Sequence, residues 1–340
     1  MRGAARLPFG FERWRLRFEP DALHKVATAD GCSVALARYH PRGRRRFVEP
    51  VVLCHGLGAN RFTFDFDERF TLARRLAERG FEAWILELRG RGEAGRAHTS
   101  SFDRQVDHDV LAALRTVREA GAKEVLWVGH SKGGLLAFAH VGRNPAAPIR
   151  AIAAIGSPTT YAVQKGLKPF ARLVRPFLSA PSIPLESLAK LAVVVPPPDS
   201  FMRYLVCPEN LDEDTRKKAL VNVGADVAGG VGRQFLDWIT TGRWQSGDRK
   251  FDYERGLAAV RVPTLLIAGA CDLLAPPDAV RHTARYVRGP TEVVVAGREA
   301  GFRADYGHGD LMLGRHAPEE LYPRVMEFLE RHATPANGDA

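Results

Sequence analysis

Apolar residues alternate with arginines at the start of the chain. Trp14, Leu16 and Phe18 stand between Arg13, Arg15 and Arg17, the period of a strand with one wet face. Two further strands are predicted over 24–29 and 32–40. They meet at Asp30-Gly31, a dipeptide suited to a tight hairpin because both positions tolerate positive φ.

From residue 51 the pattern changes. Val51-Val52-Leu53-Cys54 is a short, continuous apolar run ending in glycines, as expected of a strand buried on both faces. Next come a helix over 72–79, a strand over 82–88, and a helix over about 103–120 with Val106, Val110, Leu111, Leu114 and Val117 on one stripe. A strand over 124–128, a helix over 132–141 and a strand over 149–155 follow. Alternating β and α elements imply a mostly parallel sheet with helices on both faces. The rhythm stops between 158 and 254, a stretch with many prolines and amphipathic segments but no strand-length apolar run. It resumes with a strand over 262–268, a helix over 278–287, a strand over 291–295 and a helix over 317–332. The expected organisation is one α/β core, built from 1–157 and 255–340, with 158–254 inserted as a helical cap.

Composition narrows this little. The chain has 340 residues, 45% hydrophobic and 26% charged, the balance of a globular protein. No run approaches the roughly 18 apolar residues of a membrane span. Arginines interrupt every apolar run near Met1, so no signal-peptide core forms, and a cytoplasmic protein is expected. The formal charge of +10 would attract anionic partners, so weak association with an anionic membrane surface stays open. Arg42, Arg44, Arg45 and Arg46 lie beside Pro41 and Gly43 and read as a surface loop; no nucleic-acid-binding motif accompanies them. Cys32, Cys54, Cys207 and Cys271 form no CxxC pair and read as small core residues, with neither a disulfide framework nor a zinc site. No metal or cofactor is called for.

Four motifs carry the chemistry. Gly129-His130-Ser131-Lys132-Gly133 lies between the strand EVLWV and the helix GLLAFAHV. In that strand–turn–helix context the serine is forced into a strained backbone at a helix N-terminus, and both glycines avoid clashes with neighbouring elements. His55-Gly56-Leu57-Gly58 follows the strand VVLC. Acyl transfer generates an oxyanion that needs two preorganised donors. One is expected on the residue after the serine and one on the loop after the third strand, the N–H groups of Lys132 and Leu57. His55 reads as steadying that loop. Gly269-Ala270-Cys271-Asp272 follows the strand PTLLIA and puts Asp272 at a strand's carboxyl end. Asp305-Tyr306-Gly307-His308-Gly309-Asp310 lies between the last strand and the last helix. Three aspartates lie near these loops, Asp272, Asp278 and Asp310; Asp278 reads as the cap of the next helix and Asp272, at a strand's carboxyl end, as the partner of His308.

In this order HGLG, GHSKGG, GACDLLAPP and DYGHGDLMLG resemble the α/β-hydrolase superfamily. The last motif, with ATADGCSVALARYHP near the start, is similar to the acid lipases, the gastric and lysosomal lipases and their bacterial relatives. The resemblance covers about 24–157 and 255–333. It implies the α/β-hydrolase fold, Ser131 as nucleophile, His308 as base, Asp272 as the acid, Leu57 and Lys132 as oxyanion donors, and a structural role for Asp310 in the histidine loop. Gly309 stands where the relatives carry a bulkier apolar residue, and Lys132 where Met or Gln is commoner.

Within the insertion, Phe170, Leu173, Val174, Phe177 and Leu178 recur at helical spacing between Lys168, Arg172 and Arg175, with a kink expected at Pro176. This segment is expected to close over the pocket and favour a lipophilic ester; attachment to lipid aggregates and plain core packing are its other readings. The same triad also serves acyl transfer, thioester or lactone cleavage and cofactor-free haloperoxidase chemistry. A non-catalytic binding protein on this scaffold would usually lack a triad member.

Overall fold

A computed structural model describes residues 10–17, 19–90, 92–95, 100–162, 168, 171 and 181–336. Of the amphipathic segment at 168–178, only Lys168 and Ala171 fall within these residues. Phe18 lies outside them as well.

Eight strands form one sheet: β1 (Ala22–Ala27), β2 (Ser33–Tyr39), β3 (Val51–Cys54), β4 (Ala83–Glu87), β5 (Val125–His130), β6 (Ile149–Ile155), β7 (Thr264–Gly269) and β8 (Thr291–Ala296). Their order is β1-β2-β4-β3-β5-β6-β7-β8. β2 runs antiparallel to both β1 and β4, and every other pairing is parallel. The main helices are α1 (Leu72–Glu78), α2 (Val110–Glu119), α3 (Lys132–Arg143), α4 (Leu185–Val194), α5 (Glu213–Asn222), α6 (Gly229–Thr241), α7 (Pro277–Thr283) and α8 (Tyr322–His332).

The continuous apolar strands are explained by what covers them. Val51 and Leu53 join Leu76 of α1 and Phe328 of α8 in one buried cluster. Val52 and Cys54 join Leu114 of α2, Phe138 of α3 and Val280 of α7 in the other. A strand with a helix layer on each side needs an apolar residue at every position. Among the described residues, no helix is long and apolar enough to cross a membrane.

Five local expectations are corrected. The arginine-alternating start is not a strand: Phe11–Trp14 is a 3-10 turn. Asn222 of α5 takes the backbone groups a strand neighbour would pair, accepting from Leu16 N and donating to Trp14 O. The β1–β2 connection is longer than a two-residue turn, closed by Thr28 N to Cys32 O. Only Gly31 has positive φ there, while Asp30 accepts from Thr28 and Arg89. The long helix is broken by a π turn over Gln105–Asp109, and Leu111 is 41% exposed while Ala113 is buried. The last helix is interrupted at Leu321, before Pro323, whose ring nitrogen has no N–H to continue the preceding turn. Asp278 does not cap α7: the N-cap position belongs to Pro276, and Asp278 pairs with Arg281 in solvent.

The arginine loop is tied to the protein itself, Arg42 to Asp21 and Arg45 to Glu82. The described residues of 158–254 add no strand to the central sheet; among them Ser182–Ile183 and Val227–Ala228 pair only with each other. α6 anchors this stretch to the core. Its Trp238 meets Phe102 edge-on at 4.9 Å between ring centroids, and Trp244 and Tyr253 are buried beside it.

Candidate active site

Ser131 stands where β5 turns into α3, with φ 52° and ψ −119°. A non-glycine residue at positive φ is strained, and neighbours must hold it there. Several do so. Ser131 N donates to Ile155 O at 2.7 Å, and Ser131 O accepts from Ser157 Oγ at 2.8 Å and Gly134 N at 3.1 Å. The glycines around it are sterically required: a Cβ on Gly129 would lie 2.2 Å from Gly134 N, and one on Gly133 would lie 1.9 Å from Cys54 O. Ser131 is partly exposed, at the positive end of α3.

His308 and Asp272 are brought together from strand ends two positions away and further. Asp272 follows β7, fully buried, and its Oδ1 accepts from Leu274 N at 2.8 Å and Ala275 N at 2.7 Å. Its Oδ2 accepts from His308 Nδ1 at 2.7 Å. That contact fixes the imidazole with its proton on Nδ1 and its lone pair on Nε2. Burial pulls the His308 pKa down, but the charge and hydrogen bond of Asp272, helped by Asp310, outweigh it and hold the pKa above its ordinary value. The side chain is 11% exposed. Gly156, next to the carbonyl that holds Ser131, faces this pair: a Cβ there would sit 3.4 Å from both Asp272 Oδ2 and His308 Cε1. Among the described residues Ser131 Oγ makes no hydrogen bond, and free enzymes often hold this contact loosely until substrate binds.

The His55–Gly58 loop closes over the same point. A Cβ on Gly56 would lie 3.1 Å from that of Ser131. Leu57, one residue on, is partly exposed, and Lys132 is the first residue of α3. His55 is fully buried, with Nδ1 on Gly56 O at 3.0 Å and Nε2 facing Leu88 N at 3.4 Å, which suits a structural role in the loop. The Lys132 side chain points away into the protein and donates to Gln105 Oε1 at 2.9 Å.

Asp310 is committed to the histidine loop. Its carboxylate accepts from Gly307 N, Cys207 N and Asn210 Nδ2, and burial outweighs these bonds to raise its pKa. The segment Leu205–Cys207 of the insertion runs directly against this loop, and Gly309 N donates to Leu205 O at 2.7 Å. A Cβ on Gly309 would lie 3.0 Å from both Leu205 O and Val206 Cγ1. The glycine that departs from the acid-lipase pattern is therefore matched to the segment packed on it. At the other side of the site, Leu185 abuts Gly58, and Ala225 N donates to Gly58 O.

Three features had no counterpart in the sequence reading: the π turn that presents Gln105 to Lys132, the buried pair Arg89–Asp109 beside it, and the contact of His130 with the histidine loop. The unusual lysine at 132 was the one signal that pointed toward the first two. Among the described residues, no group of three or more His, Cys, Asp or Glu could hold a metal ion. A groove of about 1240 Å³, lined in part by Leu111, Arg115, Lys123 and Asn144, lies where β5 and β6 begin and contains none of the site residues.

Sheet order, the strained serine and the loops at the carboxyl ends of parallel strands define the class. The model of the alpha/beta hydrolase family matches residues 51–323, and the chain belongs to this family. Its relatives agree with the resemblance read from the motifs. Lipase member K of Mus musculus is 24% identical, over 92% of this chain and 88% of its own length. Gastric triacylglycerol lipase of Bos taurus is 23% identical, over 91% and 88%. Among solved structures, an esterase from Thermogutta terrifontis superposes with a TM-score of 0.61 at 20% identity, covering 92% of this chain and all of that one.

Proposed function

We propose that this α/β hydrolase is a carboxylic ester hydrolase acting through Ser131. The observation that carries the reading is the strained Ser131 at the head of α3, beside a buried His308–Asp272 pair. Ser131 Oγ attacks the ester carbonyl carbon and its proton passes to His308 Nε2. Asp272 holds the imidazole in the required tautomer and stabilises the cation formed. The oxyanion is received by the N–H groups of Leu57 and Lys132, where fixed dipoles act without reorganising. The tetrahedral intermediate expels the alcohol, which takes the proton from His308, and leaves an ester on Ser131. His308 then draws a proton from water, and the hydroxide attacks that ester to release the acid and restore the serine.

The substrate is small and lipophilic. Residues 158–254 act as the cap, since Leu185 and Leu205–Cys207 bear on the two loops that would flank the acyl group. Leu188, Leu191, Val194 and Val195 of and after α4 are 51–64% exposed, with Phe201 and Leu205 beyond them. Such a stripe suits contact with an ester that is itself aggregated or membrane-borne. A chain-length series of p-nitrophenyl esters, run on wild type and Ser131→Ala, tests the reading. Catalytic efficiency should rise over several carbons, each buried methylene contributing up to about 0.8 kcal/mol. A steady fall from acetate to octanoate refutes the lipophilic substrate, and turnover by Ser131→Ala refutes the nucleophile.

A further inference from the structure

His308 stands between two glycines, so its own backbone gives the loop little rigidity. Besides the bond of His308 to Asp272, three others fix its backbone. Gly309 N reaches Leu205 O, Gly307 N reaches Asp310 Oδ2, and His308 O faces His130 Nε2 at 3.1 Å. The first ties the loop to the insertion and the second ties it to itself. The third ties it to the residue immediately before Ser131. Nε2 must carry the proton, because a carbonyl can only accept. Nδ1 then holds the lone pair, and among the described residues it is buried without a partner. It faces the oxyanion loop, where a Cβ on Gly56 would come within 3.2 Å of it. The imidazole thus lies between the His55–Gly58 loop and the His308 loop, its ring 4.9 Å from that of His308.

We propose that His130 is a positioning residue: a neutral strut, donating Nε2–H to the His308 carbonyl, that sets the separation of base and nucleophile. This rests on the triad reading above. The strut works only while uncharged. Protonation would place an unpaired N–H in the protein and a second cation beside His308. Burial, reinforced by the nearby His308, pushes the His130 pKa down to about 3, against the weaker opposing effects of its bond to His308 O and of Asp272. The charged or titratable groups facing His308 are therefore Asp272 and Asp310, and His130 does not compete with it for a proton. Nothing about the residue preceding a nucleophile demands histidine; the donor geometry and the neutrality do.

Two isomeric amides separate this from a merely structural role. In His130→Gln the amide nitrogen overlaps the imidazole Nε2 position, whereas in His130→Asn it overlaps Nδ1 and cannot reach His308 O. His130→Phe keeps a ring and loses the donor. Displacement of a catalytic group by about 1 Å can cost about 100-fold, so kcat should fall about 10- to 100-fold in His130→Asn and His130→Phe. KM should stay within about two-fold, because the loss falls on transition-state geometry. The acid limb of the pH–rate profile should move down in both as the His308–Asp272 contact loosens. His130→Gln should recover kcat to within about three-fold of wild type, with the limb restored. If His130→Phe does not fold, the Gln and Asn pair still decides. Equal kcat in Gln and Asn, or a wild-type rate in Asn, overturns the strut. Turnover by Ser131→Ala in the same assay overturns the triad reading instead.

Discussion

The turn around Ser131 and helix α4 are opposite extremes of this molecule. At the turn, Gly129 and Gly133 have no room for a Cβ, and Lys132 through Val141 are buried without interruption. In α4 no residue is buried, and Leu188, Leu191 and Val194 are each more than half exposed. The first region is over-determined by its neighbours, which is how a strained backbone persists. The second carries apolar side chains that stand more than half open to solvent. Apolar surface of that kind is retained for what it meets, so changes in the two regions should separate chemistry from the form of the substrate.

The largest effect belongs to the turn. Ser131→Ala should lose about 10⁴-fold or more in kcat, the residue left being what binding and the oxyanion hole supply. It should remain folded by circular dichroism, since among the described residues the Ser131 hydroxyl makes no hydrogen bond. Asp272→Asn should lose on the order of 10³- to 10⁴-fold in kcat with little change in KM, because the wrong tautomer would face Ser131. In wild type, kcat/KM should fall on acidification as His308 protonates, with its midpoint above the ordinary histidine value. The sign for the mutant follows from the causes. Asp272 raises that pKa and burial lowers it, so the limb of the residual activity should shift to lower pH; a limb that stayed in place would count against this pairing.

Smaller effects belong to α4. Leu188→Lys with Leu191→Lys should leave hydrolysis of a dissolved short ester within about two-fold. Activity on an emulsified long-chain ester should drop by about ten-fold, since two buried-on-contact leucines and two cation desolvations are at stake. Equal losses on both substrates would place α4 in the chemistry or the fold rather than at an interface. Smallest of all, Asp278→Asn should change stability by no more than about 0.5 kcal/mol in thermal unfolding, as expected of a surface position that caps nothing.

How far the sequence went is visible at particular residues. Val51–Cys54 and Leu265–Ala268 are apolar throughout because both faces are covered, and such runs followed by glycine admit few other readings. Gly129 and Gly133 are legible for the same reason: the space they leave is filled by backbone. The first alternating segment misled because alternation records which side is wet, not which partner takes the hydrogen bonds, and Asn222 lies over two hundred residues away. Leu111 was misplaced by a π turn, which shifts the helical stripe with no change in composition. The hold of Asn210 and Cys207 on Asp310, and of His130 on the histidine loop, are long-range contacts between loops, where spacing carries no period to read.

A serine hydrolase of this kind must make Ser131 a covalent carrier. Incubation of the intact chain with a fluorophosphonate, followed by digestion and mass spectrometry, measures this. The expected result is one adduct per chain, on the peptide bearing Ser131, formed slowly or not at all in Asp272→Asn and absent in Ser131→Ala. An adduct on another serine, or ester hydrolysis by a wild-type protein whose Ser131 never reacts, would contradict it.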